Sequence, residues 1–460
     1  MTLLAPAGPL HDLAERRREQ RAWFTYDWAN SAYVTTVGTV LFGPYLTAVA
    51  ETAACGEPGT PEDPCRTDLM LAGIPLSPGA VAPYTVTAAS ILMVIFLPIV
   101  GALADRTPRK RRLLAAFAWV GAAAATAMVA ISGGRWLLGV VLLLIGNLCL
   151  GCSLVVYDSI LNDVASEEER HRVSSRGWAL GYLGGGLLLA ANLAIISIKP
   201  FGPDTAGAVR LCLLSAGLWW GLWTIIPYRR LRDRQPLAVE HVAGGTVREA
   251  VGQLRSTLSH ARAYPQTLLF LLAFLFFNDG IQTVIYASSI YGNRELGLSE
   301  STLIIAVLLV QFVAFVGALL LGRLAQRLGS KRVIAGSLLV WVGVVGAAFF
   351  LPPREIIPFL LLAGAIGVVL GGSQALSRSL YSLLIPRGRE AEYFSLYQAC
   401  ERGTSWFGTL VFGLTFQLTD SYRYAIIAVV GFFLLGLVLL SRVDVRRGIV
   451  AAGNEPPAVA

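Results

Sequence analysis

The chain has 460 residues, 55% of them hydrophobic and only 14% charged, with a mean hydropathy of +0.62. A soluble domain carries about 25% charged residues, so the composition excludes an ordinary soluble enzyme and indicates an integral membrane protein. The net charge of +8 would suit a nucleic-acid partner in size, but its placement along the chain argues against one.

Apolar runs of about 20 residues, long enough to cross a bilayer as helices, recur twelve times: 23–49, 83–104, 113–132, 137–165, 176–198, 207–227, 266–291, 300–321, 332–351, 355–385, 392–417 and 421–441. They are continuous rather than alternating, which predicts helices and not a barrel. Met1 to Arg21 lack the apolar core of a cleavable signal, so the first span is expected to direct membrane insertion.

The first span holds Asp27, Asn30 and Tyr33. An ionisable group at the centre of a membrane helix costs about 3 kcal/mol on insertion scales, so Asp27 must be paired, wetted or protonated. Cys55 and Cys65 share the loop that follows; a local disulfide is expected on an oxidising face, the alternative being two free thiols. No histidine is near enough to suggest a metal. The second span leads into Gly101-Ala102-Leu103-Ala104-Asp105-Arg106-Thr107-Pro108-Arg109-Lys110-Arg111.

The fourth span carries Gly151, Asp158 and Asn162, the seventh Asn278, Asp279, Gln282 and Tyr286, and the tenth Gln374, Ser377, Arg378 and Tyr381. Each set, like Asp27, Asn30 and Tyr33, shares one helical face. Gly177, Gly181 and Gly185 recur every fourth residue on the fifth span, the pattern of close helix approach. The eleventh span contains Glu401-Arg402.

Arginine and lysine crowd alternate loops: Arg16 to Arg21, Arg106 to Arg112, Arg170 to Arg176, Arg229 to Arg262, Arg323 to Arg332, Arg387 and Arg389, and Arg442 to Arg447. The loops between hold few, such as Arg66, Arg135 and Arg294. This positive-inside pattern puts both termini in the cytoplasm and requires an even number of spans. The expected organisation is a six-helix half over 1–227 with a cytoplasmic N-terminal tail, a linker over 228–265, a second half over 266–441 and a cytoplasmic tail over 442–460.

Internal repetition supports the two halves. Gly322-Arg323-Leu324-Ala325-Gln326-Arg327-Leu328-Gly329-Ser330-Lys331-Arg332 repeats the loop that begins at Gly101, and Gly151-Cys152-Ser153 repeats at Gly371-Gly372-Ser373 with nearly the same offset. Parallel halves related by an axis along the membrane normal are one transporter design. The loop from Gly101 resembles the signature loop of the major facilitator superfamily, with Gln326 replacing the acid in the second copy. A finer resemblance runs from about Trp23 to Arg442. Tyr26-Asp27-Trp28-Ala29-Asn30-Ser31-Ala32-Tyr33, the stretch from Arg172 to Gly186, Phe277-Asn278-Asp279-Gly280 and Gln374-Ala375-Leu376-Ser377-Arg378-Ser379 look like the vacuole-effluxer, or "unknown major facilitator", family. That resemblance implies an all-α integral membrane fold of twelve helices in two pseudo-symmetric halves. It also implies that spans one, four, seven and ten line a central cavity, and that the solute is amino-acid-like.

Asp27, Asn30, Tyr33, Asp158, Asn278, Asp279, Gln282, Gln374, Arg378 and Tyr381 are therefore expected to contact solute or proton. Two other readings stay open: Asp27, Asp158 and Arg378 form a cytoplasmic gate, or the charges only hold helices together. Gly101, Asp105, Arg106 and Arg109 are expected at the gate, with Glu401 and Arg402 as a local pair there or as a proton site. The basic loops also suit anionic lipid.

His11, His171, His241 and His260 fall outside the expected spans, and neither a metal motif nor a nucleotide fingerprint occurs. The expectation is a secondary transporter, not an enzyme, without cofactor, monomeric, in a bacterial inner membrane, working by alternating access with protons as the coupling ion. The alternatives are a proton-driven exporter of organic cations and, more remotely, a membrane sensor or scaffold.

Overall fold

The computed structural model of the protein describes residues 13–59, 65–71, 73–198, 205–236, 259–402 and 406–459. Ten helices come first: α1 (Ala14–Cys55), α2 (Pro78–Arg106), α3 (Lys110–Ala130), α4 (Trp136–Val164), α5 (Arg170–Ile198), α6 (Thr205–Arg230), α7 (Pro265–Glu295), α8 (Ser301–Leu328), α9 (Ser330–Phe349) and α10 (Ile356–Leu384). α11 is described in two segments, Glu390–Arg402 and Trp406–Thr419. α12 (Tyr422–Ser441) and a short α13 (Val445–Ala451) complete the chain. Eleven of these are individually long and apolar enough to span a membrane, and α11 supplies the twelfth crossing. Helices are the outcome because hydrocarbon offers no partner to a free backbone N–H or C=O. Most of the 228–265 linker, and His11 and His241, lie outside the described residues.

The buried apolar side chains fall into two clusters, one drawn from α1–α6 and one from α7–α13, with Ala391 of α11 joining the first. These are the cores of two six-helix halves. The halves meet along α5–α8 and α2–α11. At both seams the repeated loop places a glycine against the other half. A Cβ on Gly101 would lie 2.6 Å from the Ala391 carbonyl oxygen, and one on Gly322 would strike Ser175. The sequence repeat thus marks two equivalent close approaches.

α1 loosens into a π-helical stretch over Val34–Leu41. Pro44 has no N–H to return to the Val40 carbonyl, and six of the seven residues from Val34 to Val40 are valine or threonine, the seventh being Gly38. Thr39 Oγ1 donates to the Val34 carbonyl at 3.0 Å, satisfying part of the displaced ladder.

Cys55 and Cys65 are joined in a disulfide, Cα–Cα 6.0 Å, in a loop whose residues 60–64 lie outside the described set. Beyond it Leu69–Leu71 pairs antiparallel with Ile74–Leu76, Gly73 turning at φ 84°; the sequence reading has only a loop there. Changing both cysteines to serine is expected to cost about 2–3 kcal/mol on the loop-entropy account. A melting curve unchanged from the parent protein would count against it.

Candidate functional site

Arg378 of α10 crosses from the second half into the first. Nη1 donates to Asp27 Oδ1 (3.4 Å) and Asp158 Oδ1 (3.3 Å), Nη2 to Asp27 Oδ2 (2.9 Å) and the Ser174 carbonyl (3.2 Å), and Nε to Ser174 Oγ (3.0 Å). A guanidinium has five N–H donors, so every one is engaged. The rings of Trp23, Tyr157 and Trp178 surround it with centroids 4.8, 5.4 and 5.3 Å from Cζ. Tyr157 donates its hydroxyl to Asp27 Oδ2 at 2.7 Å. Asp158 is fully buried and Arg378 2% exposed. Removing one partner of such a pair costs about 3–5 kcal/mol, because the other charge is left buried alone.

More bonds close the same end of the bundle, the end with the arginine-rich loops. Asp105 of α2 accepts from the backbone N–H groups of Ala391 (2.9 Å) and Glu392 (2.8 Å), capping α11 from the other half. A carboxylate suits the free N–H groups and positive dipole of a helix start. Its counterpart in the repeat, Gln326, is exposed, so the cap is built once and not twice. Arg170 Nη1 donates to the Ser382 carbonyl (2.8 Å), Ser174 Oγ to the Ala375 carbonyl (2.7 Å), and His171 Nδ1 shares a 2.8 Å bond with Ser379 Oγ. Outside the spans, Arg387 Nη2 donates to Glu167 Oε1 at 2.7 Å. Partial burial pushes the Glu167 carboxyl up, but its own backbone N–H, Arg170 and Arg387 outweigh this and hold it below the ordinary value. A depressed carboxyl contributes while ionised, so this contact persists through neutral pH and is lost only as pH falls through that lowered value.

Asp105→Asn is expected to loosen the closed end. One of two charge-assisted bonds to α11 goes, and with it the charge at the helix start, about 1.5–3 kcal/mol. Spin labels at the exposed Arg172 and Arg327, on opposite halves, should report a longer distance population; a distribution matching the parent would remove Asp105 from the closure.

Away from this end the divide between the halves becomes more accessible. On the α1 face of Asp27, Ser31 and Val34 are half-buried, and Gly38 and Thr39 exposed. On α4 the sequence runs from buried Asp158, Leu154 and Gly151 to half-buried Asn147 and Leu144. Gln398 of α11 sits where sealing gives way. Its Nε2 donates to Asp158 Oδ2 (2.7 Å) and Glu401 Oε2 (3.2 Å), and its Oε1 accepts from Arg402 Nε (3.2 Å).

The structure therefore brings Asp27, Asp158, Arg378, Glu401 and Arg402 into one connected network. Gln374 accepts from the Tyr182 hydroxyl, again across the halves. Tyr33 donates to Asn147 Oδ1 at 3.1 Å, within the first half. Other expected residues stand elsewhere. Asn30 Nδ2 donates to the Tyr26 carbonyl of its own helix. Tyr381 is packed wholly in the second half, against Phe270 and Tyr397, with its hydroxyl on the Tyr393 carbonyl; its place on the helix turns it away from Arg378. Asn278 donates to the Glu401 carbonyl, and Asp279 Oδ2 accepts from Gly408 N at 2.7 Å while Oδ1 is buried without a partner among the described residues. Gln282 is half-buried, with no side-chain bond among the described residues. Arg106 and Arg109 likewise make no side-chain bond or ion pair among them. An apolar groove of roughly 510 Å³, lined by Tyr286, Phe412, Phe416 and Tyr422, lies within the second half and touches none of the charged residues. Among the described residues no cluster is arranged to hold a metal.

Sequence reasoning missed Trp23, Tyr157, Ser174, His171 and Gln398. Gln398 left a signal, an amide in an apolar run three residues before Glu401; Trp23, Tyr157 and Ser174 are residue types common in any membrane core, and His171, expected outside the fifth span, is buried because α5 starts at Arg170.

Two packed six-helix halves with a charged seam are the architecture of the major facilitator transporters. The protein superposes on the proton:xylose symporter XylE with a TM-score of 0.69 at 12% identity, covering 94% of this chain and 96% of that one. A bacterial homologue of the iron transporter ferroportin, in an outward-facing state, gives 0.64 at 15% identity, covering 93% and 98%. At these identities the likeness establishes the fold. The family is given by sequence: residues 15–453 match the vacuole effluxer Atg22-like family, and the chain belongs to it. It is 29% identical to the uncharacterized MFS-type transporter YxiO of Bacillus subtilis (strain 168), over 92% of this chain and 94% of that protein. It is 26% identical to autophagy-related protein 22 of Eremothecium gossypii, over 96% and 94%. The protein is thus a multi-pass, MFS-type transporter and not an enzyme.

Proposed function

We propose that the protein moves an amino-acid-like solute across a bacterial inner membrane by alternating access, coupled to protons, and that Asp27, Asp158 and Arg378 form its cytoplasmic gate. The observation that carries the reading is the saturated Arg378, which ties both halves together with all five donors. A cation so enclosed has no donor left for a solute in this state, whereas a bond between halves is what rocking must break. The arginine-rich loops support placing this end, and both termini, in the cytoplasm. On that orientation the described state is the outward-facing one. A seam with charges of both signs suits a zwitterion. The surplus of acids over bases supports proton coupling, with Asp279 as carrier through the oxygen that has no partner among the described residues.

Uptake of radiolabelled amino acids into proteoliposomes, with and without a pH gradient, tests this. Saturable uptake driven by the gradient, and lost in Asp279→Asn, is expected. Transport of a hydrophobic cation such as ethidium in place of every amino acid would instead favour an organic-cation exporter, the reading that the aromatic groove at Phe412, Phe416 and Tyr422 supports.

A further inference from the structure

Two arginines stand at the divide, and their situations are opposite. Arg378 has all its donors engaged and is enclosed by aromatic rings. Arg402 is half-buried. Its Nε donates to Gln398 Oε1, and among the described residues neither Nη1 nor Nη2 has a hydrogen-bond or ion-pair partner. It lies on the accessible side of the sealed layer. Its own carbonyl accepts from Ser90 Oγ of α2 at 3.3 Å, and the carbonyl of Glu401 accepts from Asn278 Nδ2 of α7. The α11 backbone that carries its side chain thus touches both halves.

We propose that Arg402, and not Arg378, takes the anionic group of the solute, and that this group is a carboxylate. The inference rests on the amino-acid-like reading above and assigns its anion contact. Two Nη groups without a partner among the described residues, on one planar fork, match the two oxygens of a carboxylate. The neighbouring Glu401, 6% exposed, adds negative potential that disfavours a dianion such as phosphate, so a monoanion fits better. Gln398 gives the site its link to the gate. One amide holds Arg402 through its oxygen and both Glu401 and Asp158 through its nitrogen. A carboxylate that draws the Arg402 fork toward itself pulls on the residue that positions Asp158, the second acid of the Arg378 clamp. Gln398 is a positioning residue and touches no solute itself.

The test is a thermal-shift titration of the purified full-length protein with three sets of probes: L-amino acids, their carboxamides, and simple monocarboxylates. The parent protein, Arg402→Gln and Arg402→Lys are compared, with folding checked by the ligand-free melting curve. Amino acids should stabilise the parent and their amides should not. Arg402→Gln should weaken binding about tenfold to a hundredfold, the loss expected of charge-assisted bonds. Arg402→Lys, which keeps the charge without the fork, should fall between. If simple monocarboxylates alone bind, and Arg402→Gln abolishes it, the Arg402 site stands and the amino-acid reading falls. If amino acids bind parent and Arg402→Gln alike, the Arg402 site falls and the amino-acid reading stands. Equal binding of acids and amides overturns the carboxylate assignment, and no response to any carboxylate overturns both readings.

Discussion

Arg378→Ala is expected to abolish transport while ligand binding survives. The substitution leaves Asp27 and Asp158 buried without their shared cation, a penalty of about 3–5 kcal/mol that falls on the closed arginine-rich end alone. Once the halves part, water reaches both acids and the penalty disappears. The conformational balance should therefore shift by roughly a hundredfold or more toward opening at that end. A shifted balance removes one half of an alternating cycle without removing a solute contact. Labels at Arg172 and Arg327 would show the separation, and a binding titration on the same preparation would show the intact site. Binding lost together with transport, at unchanged label distance, would return Arg378 to the solute site.

Gly177→Ala should come close to the same phenotype through sterics alone. A methyl group at Gly177 would overlap Asp27 Oδ2 and lie 3.1 Å from Arg378 Nη2 and 3.0 Å from the Trp23 ring. It would be forced between α1 and α5 at the point where the clamp closes. Overpacking costs about 1–3 kcal/mol, and parting the ion pair adds to that. Gly336→Ala on α9 is the matched control, since a Cβ there meets nothing within 4 Å. Transport should fall to background and the melting temperature should drop in Gly177→Ala, with neither changed in Gly336→Ala. Equal behaviour of the two would show that the α1–α5 approach has slack.

The helices were legible because hydrocarbon permits one local solution to an apolar run, and a run announces itself in twenty consecutive residues. The charges were legible too: Asp27, Asp158, Arg378, Glu401 and Arg402 are conspicuous in apolar surroundings, and all five lie in one network. The pairing was not. Whether Arg378 meets Asp27 depends on how the two halves pack, a property of the assembled bundle. Tyr381 illustrates the same limit at smaller scale. It sits three residues from Arg378 and shares its broad face in a helical projection, yet a rotation of about 60° along the 3.6-residue helix puts it in the second-half core. Asp105 stood out through its motif, whereas its two bonds to the start of α11 follow from a contact 286 residues away in sequence. Ser174 carries no charge, and nothing in composition separates it from hydroxyls that only serve their own helix; Gln398 is marked only by its place three residues before Glu401.

The end of the chain has a mechanical part. After α13, Asn454 donates to the carbonyls of Leu383 (2.8 Å) and Ile385 (2.9 Å) at the foot of α10, and its oxygen accepts from Arg387 Nε. Arg387 also reaches across to Glu167. Tail, helix foot and Arg387 thus make a single lever whose far arm is the α10 segment bearing Arg378. A load hung on the last residues, whether a fused domain or a rigid tag, would bear on that arm. The tail is thus bonded to the foot of α10 rather than merely trailing from the bundle.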